Sequence, residues 1–120
     1  MFKTENSKKY DLEERTPTFS KEIISLIRKV PKTLANNEIA KQVVRSSGSV
    51  GANYIEANEA LSKKDFVMRI KICRKEAKES VYWLKLMEVE CKEAEKKKEM
   101  LIDEASQLTK IFSTIVEKTK

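Results

Sequence analysis

The chain has 120 residues, which fits one domain and leaves little room for a second. Lys and Arg number 25 against 19 Asp and Glu, giving a formal net charge of +6, with only 2 Gly, 2 Pro and 7% aromatics. So few breakers exclude a β-sandwich, a propeller or a collagen-like chain, and the absence of histidine removes the commonest metal ligand and general base.

Residues 1–15 are polar and lack a sustained apolar period. They predict a loosely held arm, docked through Phe2, Tyr10 or Leu12, ahead of a bundle over 16–120. The segment Met1–Asn6 also lacks the apolar stretch of a secretory signal. Thr16-Pro17 reads as an N-cap followed by Pro at the first helical position, where its missing N–H costs nothing. Phe19, Ile23, Leu26, Ile27 and Val30 recur at three- and four-residue steps, predicting a helix over about 17–30 that stops near Pro31.

Asn36 or Asn37 can cap the next element, in which Ile39, Val43, Val44, Val50, Tyr54, Ala57 and Leu61 keep a helical period. The stretch Ser46–Asn53 inside it has poor helix propensity. The period resumes in phase on both sides, so one helix over about 38–60 is expected, its small side chains admitting a neighbour. Ser62-Lys63-Lys64-Asp65 is a capping sequence, a serine with an acid three residues on. Phe66, Ile70, Cys73, Ala77, Val81, Leu84, Met87 and Cys91 then define one apolar stripe, predicting a rod over about 63–93. The charged run Glu93–Glu99 is expected to hold a turn before a last helix over about 99–117, with Leu101, Ala105, Leu108, Phe112 and Ile115 inward. Four amphipathic helices with short connections predict an all-α, antiparallel up-down bundle.

Cys73 and Cys91 cannot build a four-cysteine zinc site within one chain. On one helix their 18-residue separation is roughly 27 Å, far beyond the ~7 Å that a disulfide allows. Both are expected as buried free thiols. No apolar run reaches the roughly 18 residues of a membrane span, so a cytoplasmic protein is expected.

The charge is uneven. Residues 61–98 hold twelve basic and seven acidic groups, +5, while 1–30 carry +2, 31–60 are neutral and 99–120 carry −1. Within that third segment Lys64, Lys71, Lys75, Lys78, Lys85 and Lys92 share one helix face, with Arg69 and Arg74 at its sides. Lysines aligned this way can neutralise successive phosphates, giving affinity that falls with salt. The plainer reading is a solvated helix face. No aromatic is interleaved in a stacking pattern, so base readout is not suggested.

Ile72, Trp83 and Leu86 lie away from the main apolar stripe. They point to association between copies of the chain, the alternative being that Trp83 caps the bundle edge. Arg45, Ser49, Asn53 and Glu56 form a polar line on the second helix, expected to bond Glu76 and Glu79 and fix the register. No nucleophile or metal ligand accompanies Glu56, and carboxylate-bridged di-iron bundles need histidine. Ser46-Ser47-Gly48-Ser49 lacks the lysine and the preceding strand of a phosphate loop.

At these residues the sequence resembles the bacterial four helix bundle protein family, also called the 23S rRNA intervening-sequence protein family. The matching features are Glu38-Ile39-Ala40-Lys41-Gln42, Arg45-Ser46-Ser47, Ser49-Val50-Gly51-Ala52-Asn53 and Glu56-Ala57. Ser62-Lys63-Lys64-Asp65-Phe66, Lys75-Glu76-Ala77 with Glu79, and Tyr82-Trp83-Leu84 follow in order, and the likeness covers roughly residues 10–115. The resemblance implies a homo-oligomeric bundle, a pentameric ring, with the Ser46–Asn53 segment helical. Some relatives are encoded within intervening sequences of large-subunit rRNA genes. A similar bundle, the accessory variability determinant of diversity-generating retroelements, is a basic pentamer associated with nucleic acid and reverse transcriptase.

The expectation is a non-enzymatic homo-oligomer presenting Lys64, Lys71, Lys75 and Lys78, with Arg69 and Arg74 secondary, to RNA or DNA backbones. Ile72, Trp83 and Leu86 would form the subunit contact. No catalytic constellation, metal, cofactor, membrane or small-molecule substrate is expected. The alternative is a protein-interaction scaffold with no nucleic-acid role.

Overall fold

The computed structural model describes residues 10–120. They form four helices: α1 Leu12–Ile27, α2 Leu34–Asn58, α3 Lys63–Leu86 and α4 Lys92–Thr119. No strand occurs among the described residues. Helices adjacent in the chain pack side by side, and α1 closes onto α4, giving a body of 45 × 23 × 19 Å.

Helix α1 begins at Leu12, before the expected Thr16 cap. The reason is that Leu12, Thr16, Phe19, Ile23 and Leu26 already follow the four-three spacing of a buried face. Thr16 therefore sits inside the helix, its Oγ1 donating to the Leu12 carbonyl at 2.9 Å. Pro17 is also internal rather than first. Asp11 turns the chain into the helix in the left-handed region, φ 56°, which a short polar side chain tolerates. Glu13 and Glu14 suit the positive end of the helix dipole. The arm expected over 1–15 thus gives its last residues, from Leu12, to the bundle; Phe2 lies outside the described residues.

Helix α2 is capped by Thr33, whose side chain accepts from the Asn36 N–H at 3.0 Å, so neither Asn36 nor Asn37 is the cap. Asn36 is buried instead. Its Nδ2 donates to the Pro31 and Glu88 carbonyls at 3.0 and 2.9 Å, and its Oδ1 accepts from Glu88 N at 2.9 Å. One side chain thus ties the α1–α2 connection to the α3–α4 connection. Helix α2 runs unbroken through Ser46–Asn53, as the in-phase period required. A Cβ on Gly51 would meet Thr16 Cβ and Oγ1 at 3.3 Å, so this glycine lets α1 approach closely.

Ser62 caps α3 as expected, accepting from Asp65 N at 3.1 Å. The rod, however, ends at Leu86 and not beyond Cys91. Met87 leaves the helix at φ −62°, ψ 126° and still buries its side chain fully. The stripe therefore continues through a change of backbone direction, which periodicity alone does not register. No Gly or Pro marks the break. Lys98 marks it instead, donating from Nζ to the carbonyls of Met87 at 2.8 Å and Lys85 at 3.3 Å. Cys91 is consequently the exposed N-cap of α4 rather than a core thiol, and Lys92 belongs to α4. The run Glu93–Glu99, expected to contain the turn, is helical.

Phe19, Tyr54, Phe66, Leu108 and Phe112 dominate the core, with the Tyr54 and Phe112 ring centroids 6.3 Å apart. No helix among the described residues is long and apolar enough to cross a membrane. No group of three or more His, Cys, Asp or Glu among them could hold a metal ion.

Candidate nucleic-acid interface

Helices α3 and α4 lie side by side in opposite directions, with Thr119 and Lys120 beside Lys63 and Lys64. Two open cavities lie in series along this seam. The first, about 600 Å³, is lined by Lys63, Lys64, Val67, Met68, Lys71, Thr119 and Lys120. The second, about 430 Å³, is lined by Lys78, Val81, Tyr82, Lys85, Ser106, Thr109 and Lys110. Neither wall contains an Asp or Glu side chain. Lys64, Lys71, Lys78 and Lys85 recur every seventh residue, about 10 Å apart along the helix axis. None of these four, nor Lys110, pairs with a carboxylate of a described residue. Only Lys120 does, with Glu117 one turn back at 2.9 Å.

This geometry sorts the residues singled out in the sequence. Lys64, Lys71 and Lys78 line the seam together with Lys85. Lys75 lines neither cavity and stands 4.0 Å from Glu76. Arg69 faces α2, donating from Nη1 to Asn53 Oδ1 at 3.0 Å, and Arg74 is half-buried. Lys63, Lys110, Lys120 and Tyr82 were missed. Tyr82 is 59% exposed between Lys78 and Lys85, so an aromatic does stand within the basic stripe. Its spacing, four after Lys78 and three before Lys85, is the signal that could have found it.

The α2–α3 seam is built differently. Asn53 Nδ2 donates to the Ser49 carbonyl and Oγ, both at 2.9 Å. Ser46 and Ser80 hydroxyls meet at 2.8 Å, and the Cys73 thiol donates to the Val50 carbonyl at 3.4 Å. Arg45 stands 3.9 Å from Glu76 and 3.8 Å from Glu79. Glu76 is 6% exposed, and its Oε1 has no hydrogen-bond partner among the described residues. Glu56 is exposed, outside this ladder. Burial pushes the Cys73 thiol up to about 12, so it stays protonated and unreactive.

Ile72 and Trp83 are half-buried, Trp83 packing against the core of its own chain, and Leu86 is 45% exposed. The Tyr82 and Trp83 rings make an edge contact, centroids 5.0 Å apart and planes at 76°.

Fold and seam together define a four-helix protein with one groove lined by lysines and free of acidic side chains. The chain matches the model of the 23S rRNA-intervening sequence protein family over residues 8–114, and it belongs to that family. It is similar to the crystal structure of a protein of unknown function from the S23 ribosomal protein family of Bacteroides thetaiotaomicron VPI-5482. That likeness has a TM-score of 0.72 at 29% identity, covering 88% of this chain and 98% of the other. No curated protein matches.

Proposed function

We propose that this chain is a non-enzymatic, cytoplasmic up-down bundle that assembles into a homo-oligomeric ring, a pentamer, and binds RNA or DNA backbones. Contact runs through the α3–α4 groove. The observation that carries this reading is the set of seven lysines lining two cavities whose walls hold no acid. A groove lined by one sign of charge attracts and steers a polyanion. Binding is weakly sequence-specific, because phosphate contacts position a strand without specifying it. Repetition around a ring multiplies weak contacts through effective concentration. Membership of a family named for an rRNA intervening sequence supports an RNA partner. The exposed Leu86, on the face of α3 that also carries half-buried Ile72 and Trp83, supports self-association.

The second reading, a protein-docking scaffold, draws on the α1–α2 groove. That groove is about 620 Å³ and lined by Pro17, Gly48, Gly51, Ala52 and Ile55 among others. Salt separates the two readings. Light scattering coupled to size-exclusion chromatography should give a multiple of 13.9 kDa. Affinity for structured RNA should fall linearly on a log–log plot against salt. A monomer with no detectable RNA affinity at low salt would sink the proposal.

A further inference from the structure

We propose that the second cavity of the α3–α4 groove is a nucleotide subsite for single-stranded nucleic acid, in which a base stacks on Tyr82. Lys78, Lys85 and Lys110 hold the flanking phosphates. The inference rests on the nucleic-acid reading above and names the form of the strand. Three features meet at one place. Tyr82 is 59% exposed, although a ring of this size normally seeks cover, and it stands in the cavity wall. Its edge contact with Trp83, centroids 5.0 Å apart, braces the ring on one side. Lysines from both helices surround it, and Ser106 adds a hydroxyl to the wall.

The cavity, about 430 Å³, falls within the roughly 300–1,000 Å³ range of small-ligand pockets, enough for one nucleotide unit. Apolar Val81 in the wall offers nothing to a phosphate and suits a base. A duplex keeps its base faces stacked on one another and presents phosphates, sugars and base edges, so it cannot stack a base on the tyrosine ring. A single strand uses both the ring and the lysines. The first cavity, by contrast, has lysines and Met68 but no aromatic, so it is a backbone contact only.

The chain contains a single tryptophan, Trp83, in contact with Tyr82, so the site carries its own reporter. The test titrates the full chain with oligouridylate, with duplex RNA of equal length and with inorganic polyphosphate. Trp83 fluorescence and anisotropy are followed for wild type, Tyr82→Ala and Tyr82→Phe. Oligouridylate should perturb Trp83 emission more than polyphosphate does. Tyr82→Ala should weaken oligouridylate roughly tenfold or more and leave polyphosphate unchanged, whereas Tyr82→Phe should retain binding. Equal loss of both ligands in Tyr82→Ala, or no loss of either, overturns the subsite while the backbone reading stands. If no polyanion binds the wild type at low salt, the backbone reading fails and the subsite with it.

Discussion

Helix α4 packs along α1 on one side and α3 on the other, and it meets them with opposite electrostatics. Toward α1 the charges are matched. Arg15 donates to both Glu104 oxygens, at 3.0 and 2.7 Å, and to Gln107 at 3.0 Å. Lys29 bonds Glu93 at 2.6 Å, and Lys97 bonds Glu22. Toward α3, Lys64 and Lys71 share one cavity with Lys120, and Lys78 and Lys85 share the other with Lys110, with no Asp or Glu in either wall. Net charge by segment hides this difference. Residues 61–98 carry +5, yet within them Lys97 pairs with α1 and Lys98 caps the carbonyls of the α3 end. What distinguishes the place where α3 meets the far half of α4 is that lysines line its cavities with no acidic side chain among them. The α1–α4 seam is grooved as well, with a cavity of about 590 Å³, but acids and bases share its wall, whereas the α3–α4 walls leave their lysines available to a polyanion.

The largest expected effect breaks the comparison from the unmatched side. Replacing Lys71, Lys78 and Lys85 together by Gln should lower RNA affinity more than about tenfold at low salt and cut the log–log salt slope by about 0.7 per lysine. Folding stability should stay within about 0.5 kcal/mol or rise, since like charges are being removed. Lys29→Gln with Lys97→Gln, on the matched seam, should leave RNA affinity near wild type. Filter binding at several ionic strengths, with urea melts of each variant, checks both arms. Equal losses of affinity in the two variants would mean that the two seams do not differ in function.

A smaller effect comes from the matched side. Arg15→Ala removes a two-bond contact to Glu104 whose side chains are only about a quarter exposed, 25% and 27%. Charge-assisted bonds of this kind exceed ordinary surface pairs, so the loss should be about 1 kcal/mol in a urea melt. The RNA salt slope should not change. A neutral outcome would show that apolar packing alone holds α1 against α4.

Much of this architecture was legible in the sequence, and the exceptions have physical causes. The buried faces followed from periodicity, and Ser62 with Asp65 announced the α3 start. The unbroken α2 was legible because apolar positions stayed in phase across Ser46–Asn53, and tertiary packing outweighed poor propensity. The break after Leu86 was not legible, because Met87 keeps its place in the stripe while the backbone turns. Its partners, Lys98 and Asn36, are distant in the chain and satisfy the freed backbone groups. The start at Leu12 was hidden by Pro17, which reads as a first-turn residue and sits inside the helix. In the groove, the α3 lysines were legible by spacing. Lys110 and Lys120 were not, since only the antiparallel pairing of α4 brings them there. Arg69 shares α3 with the stripe, but its angle on the helix gives it to Asn53.

The smallest expected effect concerns how far matching itself matters at an exposed edge. The bond from Lys29 holds the Glu93 carboxyl below its ordinary range, and the same bond raises Lys29 above its own. Both groups lie at the surface, so the contribution is slight and screened by salt. Its pH dependence still has a definite sign. A depressed carboxyl stabilises the fold above its unfolded pKa, and that contribution fades as pH falls through the folded value. A raised ammonium contributes below its unfolded pKa, fading as pH climbs through its folded one. The pair therefore acts across the neutral range and is lost at both extremes. Glu93→Gln should lower the Tm slightly near neutral pH, and the gap from wild type should close in acid below the usual carboxylate range. High salt at neutral pH should close it as well. A gap that persists in acid would show that Glu93 acts through its position in the first turn of α4, by packing rather than charge.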